Sequence, residues 1–161
     1  MRRNAAARLI AVTTTALIAA GCAGTPSRDP AGASSTATDL RSAISQLALS
    51  MVGIPYRYGG AHPDEGFDCS GLVYYSYSSN GQVVPRTSHA QFDAARKIPL
   101  EDAIEGDLLF FRDQEKLSHV GIYLGDGEFV HAPSSGDSVR VASIDAPYYQ
   151  RHLVAVGRLL P

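Results

Sequence analysis

The sequence predicts an α+β domain, and three observations carry that prediction. Apolar residues at helical spacing are confined to the first part of the chain that follows an N-terminal leader. Short apolar or alternating runs, separated by Gly, Asp, Ser and Pro, fill the remainder and read as an antiparallel sheet of about five strands. Helices and then strands, segregated along the chain, indicate α+β. The third observation is chemical: Cys69, the only cysteine beyond the leader, opens one of the predicted helices.

The leader fixes the expected compartment. Arg2, Arg3 and Arg8 form a basic n-region before the apolar stretch 9–20. That stretch is interrupted by Thr13-Thr14-Thr15 and is too short to span a bilayer, which takes about 20 apolar residues; it reads as a signal-peptide h-region. It runs into Leu17-Ile18-Ala19-Ala20-Gly21-Cys22, which resembles a bacterial lipobox with Ala19 where Leu is usual. The expectation is a lipoprotein signal peptide over 1–21 and a lipidated Cys22 that anchors the chain to a membrane. The other reading is cleavage after an Ala-x-Ala-like site, with Cys22 incidental. Residues 23–37 are small, polar and broken by proline, so 22–38 is expected to be a flexible tether with a reach on the order of 20 Å.

Residues 39–161 then form one domain, long enough for a single core. Three of the 14 basic residues lie in the leader and all 16 acidic ones lie beyond it, so 11 against 16 leaves the remainder at −5. A mildly acidic domain with no basic run excludes nucleic acid as the expected partner. No metal-ligand spacing is present, so neither metal nor other cofactor is expected, and a monomer is. With Cys22 acylated, Cys69 has no disulfide partner outside the cytoplasm, and an unpaired thiol there needs a chemical reason.

Taken in order, Thr38 or Asp39 caps a helix carrying Leu40, Ile44, Leu47, Ala48 and Met51 at helical spacing, which ends at Gly53 and Pro55. A loop follows to Phe67. Asp68 is a good N-cap for a helix over 69–79, stopped by Asn80-Gly81. Ser88 caps a short third helix that ends near Ile98. Strands are expected at 107–111, 118–124, 128–132, 139–143 and 153–159.

Cys69 would sit in the first helical turn, among unpaired N–H groups and at the positive end of the helix dipole. Both favour the thiolate, so a depressed thiol pKa is expected. The same N–H groups can hold an oxyanion, and Gly71 would keep the turn open to a substrate carbonyl. His119 and His131 share one face of neighbouring strands with Gly121, Tyr123 and Phe129, while Val120, Ile122, Leu124 and Val130 share the other. Gly121 would leave space beside His119. A thiol, a base and a group that orients the base make up a nucleophilic triad: Cys69, His119, His131. The two histidines can touch only if their hairpin has an odd loop or a bulge near 125–127, with directly opposed histidines as the expected register and a glycine or Asp126 at positive φ.

Six motifs in order resemble the NlpC-type cell-wall cysteine peptidases. They are Pro55-Tyr56-Arg57-Tyr58-Gly59-Gly60, Phe67-Asp68-Cys69-Ser70-Gly71-Leu72-Val73, Pro85-Arg86-Thr87-Ser88, Gly106-Asp107-Leu108-Leu109-Phe110-Phe111, His119-Val120-Gly121-Ile122-Tyr123 and Phe129-Val130-His131-Ala132. The resemblance implies a papain-like fold and hydrolysis of an amide bond in peptidoglycan stem peptides or their cross-links. It makes Cys69 the nucleophile, His119 the base and His131 the orienting group, with a thioester acyl-enzyme. Tyr56 matches a tyrosine near the thiol that assists the oxyanion. Asp68, Ser70 and Ser88 match substrate-binding positions, and Arg86 is expected to hold its loop. The lipid-anchored murein endopeptidases of this family imply a place in the cell envelope, on the periplasmic face of the outer membrane. Two rivals stand beside this reading: a catalytically silent stem-peptide-binding lipoprotein, and an amidase or acyltransferase of related fold.

Overall fold

The computed structural model describes residues 30–113 and 116–160. Cys22 and the expected signal peptide lie outside the described residues, and among these no helix is long and apolar enough to cross a membrane. Helices α1 (Pro30–Ser50), α2 (Cys69–Ser78) and α3 (Ser88–Ala94) come first, with a small hairpin of β1 (Ala61–His62) and β2 (Gly66–Phe67) ahead of α2. Then follow β3 (Arg96–Ile98), β4 (Leu108–Asp113), β5 (Lys116–Gly125), β6 (Glu128–His131), β7 (Arg140–Ser143), α4 (Pro147–His152) and β8 (Leu153–Arg158). The main sheet has six strands in the order β3-β8-β4-β5-β6-β7, every pair antiparallel.

The α+β class holds, with local corrections. Helix α1 begins at Pro30, so it takes in much of the expected tether over 22–38. Pro suits a helix start, and the alanines that follow are strong helix formers. The cap of α3 is Thr87, whose Oγ1 accepts from the Ala90 N–H at 3.4 Å, and Ser88 is the first helical residue. Residues 96–98 are a sixth strand rather than the end of that helix. The hairpin β1–β2 and helix α4 occupy segments with too few apolar positions to register as elements.

Both faces of the sheet are covered. Leu108 and Phe110 of β4, Val120 and Ile122 of β5, and Val130 of β6 pack with Ile44 and Ala48 of α1 and with Leu72, Val73 and Tyr77 of α2. Leu109, Phe111, Tyr123, Phe129 and Val156 form a second cluster on the other face, with Tyr149 of α4 packed against it. The expected division of β5 into two faces is therefore the division between two cores. It also explains why 108–111 is apolar without alternation, as strands buried on both faces are.

A buried ionic knot ties the ends of the domain to the sheet. Asp107 is fully buried; its Oδ1 accepts from Arg41 of α1 at 3.1 Å, and its Oδ2 from Arg158 of β8 at 2.7 Å. Such a triad is costly to break from one side, on the order of 3–5 kcal/mol, because a charge is left unpaired. Asp107 belongs to one of the six motifs, and its work is structural.

Candidate active site

Asp68 organises the start of α2. Its Oδ1 accepts from the Gly71 N–H at 2.6 Å as an N-cap should, and also from Ser70 Oγ at 3.1 Å and Arg86 Nη1 at 3.0 Å. Its Oδ2 accepts from Gly59 N–H and Arg86 Nη2, both at 2.9 Å. Burial opposes the charge on Asp68, but hydrogen bonds from Arg86 and the Gly71 N–H win and hold its carboxyl below the usual carboxylate range. Arg86 also donates to the Gly60 carbonyl at 3.0 Å, so it fastens the 59–60 loop and its own loop to the cap of α2.

This contact explains Gly71 differently from the sequence reading. A Cβ on Gly71 would sit 2.0 Å from the Gly60 carbonyl oxygen. Glycine is required there because the loop packs onto the helix, not because a substrate must approach. Gly121 is a similar case: the expected open space beside His119 is filled by Phe129, whose ring carbon would lie 2.6 Å from an added Cβ.

Cys69 opens α2, is half-buried, and lines a cavity of about 470 Å³ together with Tyr56, Tyr58, Asp68, Ser70, Arg86, Ser88 and Ser118. All four residues expected around the thiol (Tyr56, Asp68, Ser70 and Ser88) thus meet in one concavity. Tyr56 is held by its backbone, its N–H donating to the Asp137 carbonyl at 2.8 Å. Burial, and then the Cys69 sulfur, push its hydroxyl pKa up.

The thiol corrects an expectation. Burial pushes Cys69 up, and the N–H groups of Val120, Ser70 and Cys69 itself only partly offset this. The N–H groups of Ser70 and Cys69 lower it as expected of a helix start, whereas the N–H of Val120 on β5 and the desolvation are tertiary and not revealed by sequence. Cys69 and His119 share no hydrogen bond and line different cavities; the raised thiol and the lowered imidazole are each uncharged at rest.

His119 Nε2 and His131 Nδ1 lie 2.7 Å apart. Burial, then the charge of Arg140, lowers His119 to about 4; burial, His119 and Arg140 lower His131 to about 3. The register that brings them together is not direct opposition. Ile122 pairs with Val130 and Tyr123 with Phe129, which sets His131 against Gly121, diagonal to His119. Parity survives because Leu124 is bulged out before Gly125 pairs with Glu128. Of the two expected devices the hairpin uses the bulge, and its turn is the two-residue Asp126-Gly127, with φ of 50° and 76°.

Two residues here escaped the sequence reading. Tyr149 Oη lies 3.2 Å from His131 Nε2, brought there by α4, which was not anticipated. Arg140 of β7 pairs directly with His131 across the sheet. Both line a second cavity, of about 510 Å³, together with His119, His131, Phe111, Asp113, Ser118 and Asp137. Among the described residues no cluster of His, Cys, Asp and Glu could hold a metal ion.

Against known proteins, a model of the NlpC/P60 family matches residues 53–158. The chain is 39% identical over 117 residues to murein DD-endopeptidase MepH of Escherichia coli, covering 70% of this chain and 43% of that protein. It is 38% identical over 124 residues to the bifunctional muramidase/DL-endopeptidase CwlT of Bacillus subtilis, covering 75% of this chain and 37% of that one. The chain thus spans less than half of either relative. A crystal structure of an NlpC/P60 family protein from Bacillus cereus superposes with a TM-score of 0.72 at 31% identity, over 75% of this chain and 40% of the other.

Proposed function

This chain belongs to the NlpC/P60 family, and from that membership and the geometry of its site we propose that it is a peptidoglycan endopeptidase working through Cys69, His119 and His131. The observation that carries the reading is the 2.7 Å contact of His119 Nε2 with His131 Nδ1. It occupies one ring nitrogen of His119 and leaves Nδ1 as the nitrogen available to a thiol.

The tautomers follow from this contact and from Tyr149. If His131 Nε2–H donates to Tyr149 Oη, then His131 Nδ1 carries a lone pair and accepts from His119 Nε2–H. His119 Nδ1 is then unprotonated and can act as a base. In the reaction it takes the Cys69 proton as Sγ attacks the substrate carbonyl. The resulting imidazolium donates through Nε2–H to His131, and His131 in turn to Tyr149, so the positive charge is supported along the chain. N–H groups at the start of α2 receive the oxyanion, and the Tyr56 hydroxyl assists.

Collapse breaks the C–N bond, and His119 returns the proton to the leaving nitrogen, which leaves a thioester on Cys69. A water molecule deprotonated by His119 attacks the thioester carbon, the C–S bond breaks, and the acid departs as the thiol is restored. Asp68, Ser70 and Ser88 would bind the acyl half of the substrate in the cavity of Cys69.

The bond proposed is the cross-link between stems, as the name of the Escherichia coli relative suggests for that protein. We further place the chain at the periplasmic face of the outer membrane, anchored through Cys22. Support for this comes from the leader and from Ala23, rather than Asp, after the cysteine. Digestion of purified sacculi, read by mass spectrometry of the released fragments, tests the reading and names the bond. Fragments cut within peptide stems or cross-links are expected from the wild type and not from Cys69→Ala; no release by the wild type would favour a silent binding protein or an amidase acting elsewhere.

A further inference from the structure

The two cavities have different chemical duties. Amide cleavage leaves the acyl carbon on Cys69 and sends the leaving nitrogen to the proton held by His119. The acyl half therefore occupies the cavity that Cys69 lines, and the leaving half departs over the cavity lined by His119 and His131. Ser118 lines both, so one extended chain can cross from the first to the second.

Arg140 stands in the second cavity. Among its described lining residues it is the only Lys or Arg, while Asp113 and Asp137 also line it. Its Nη1 donates to Asp137 Oδ1 at 3.3 Å, with the two side chains 49% and 41% exposed, a pairing worth little in water. Its Nε and Nη2 have no hydrogen-bond partner among the described residues, so one edge of the guanidinium fork is open to a carboxylate, which it fits with two parallel bonds. The position also carries a functional cost: this charge opposes protonation of both histidines, as the depressed values show. A cation beside a catalytic base becomes an advantage if the substrate brings the charge that neutralises it.

We propose that Arg140 forms a subsite for a carboxylate on the leaving half of the substrate, next to the scissile nitrogen. The inference rests on the endopeptidase reading above and adds to it the charge of the group that departs. It predicts selection for amines that carry a free acid over the same amines with that acid amidated. Asp113 and Asp137 disfavour an anion elsewhere in the cavity and so restrict it to the guanidinium.

The test uses two synthetic stem-type peptides with the same acyl half, differing only in a free carboxylate or a carboxamide on the leaving amino acid. With the full chain, kcat/KM for the free acid should exceed that for the amide by about tenfold or more, the range of a charge-assisted pair. In Arg140→Gln the ratio should fall to within about twofold of unity, and Arg140→Lys should restore part of it. Equal cleavage of both peptides by the wild type, or a ratio unchanged in Arg140→Gln, would overturn the subsite while leaving the endopeptidase reading intact. Cleavage of neither peptide by the wild type would overturn both.

Discussion

His119 Nε2 and His131 Nδ1 share a hydrogen bond of 2.7 Å, and His131 faces Tyr149 Oη at 3.2 Å with its other nitrogen. The pair is held by two neighbouring strands, one bulge and one short helix. The orientation of His119 thus depends on three elements outside the helix that carries Cys69.

Removing these supports should act on turnover rather than on binding. His131→Ala is expected to lower kcat on the order of a hundredfold or more, as loss of the orienting group does in other triads. Tyr149→Phe, which removes one hydrogen bond, should cost about two- to tenfold in kcat with KM nearly unchanged. Steady-state kinetics on a stem peptide would check this; an effect confined to KM would remove Tyr149 from the chain.

The raised thiol and lowered histidines make a resting pair without charges. Iodoacetamide labelling of Cys69 across pH should give an inflection above the free-thiol value of about 8.5. An inflection well below it, moving upward in His119→Ala, would instead mean a preformed thiolate–imidazolium pair.

The same histidines make the fold sensitive to acid. Unfolded, each takes up a proton near its ordinary value of 6.5; folded, they do so only at about 4 and about 3. Between these values the unfolded chain binds more protons, so stability rises with pH. It is fully present above pH 6.5 and is lost as pH falls towards 4, at up to about 1.4 kcal/mol per pH unit for each histidine. Urea titrations from pH 7.5 to 4.5 should show a smaller slope in His119→Gln/His131→Gln; an equal slope would show that other groups cause the acid loss.

Gly71→Ala offers a test of the loop–helix contact. With its Cβ 2.0 Å from the Gly60 carbonyl, the variant must push the loop away and disturb Arg86 and Asp68. A loss of about 1–3 kcal/mol is expected, visible as a fall of several degrees in Tm. An unchanged Tm would mean that the loop yields freely and does not brace the site.

What was legible in the sequence was whatever depended on local chemistry and periodicity. Asp68 announces the helix that Cys69 opens, and β5 alternates cleanly enough to assign His119 to one face and Val120 to the other. Parity alone required an odd loop or a bulge in the β5–β6 hairpin, but the choice of a bulge with Asp126-Gly127 as the turn depends on which residues tolerate positive φ in context. Tyr149 and Arg140 were hidden for another reason: each acts through a strand or helix distant from its target in sequence, and neither belongs to a motif. The thiol was misjudged because burial is a tertiary quantity. The Gly60–Gly71 approach was invisible because two glycines in separate motifs show no sign of facing each other.

Covalent catalysis by Cys69 is the step on which the proposed activity depends. The measurement is turnover of a stem peptide by Cys69→Ala, with thermal melting to confirm that the fold is kept. Less than about a thousandth of wild-type kcat/KM is predicted for a correctly folded variant, since removing the nucleophile removes the thioester route. A folded Cys69→Ala that retained more than this would contradict covalent catalysis at this residue.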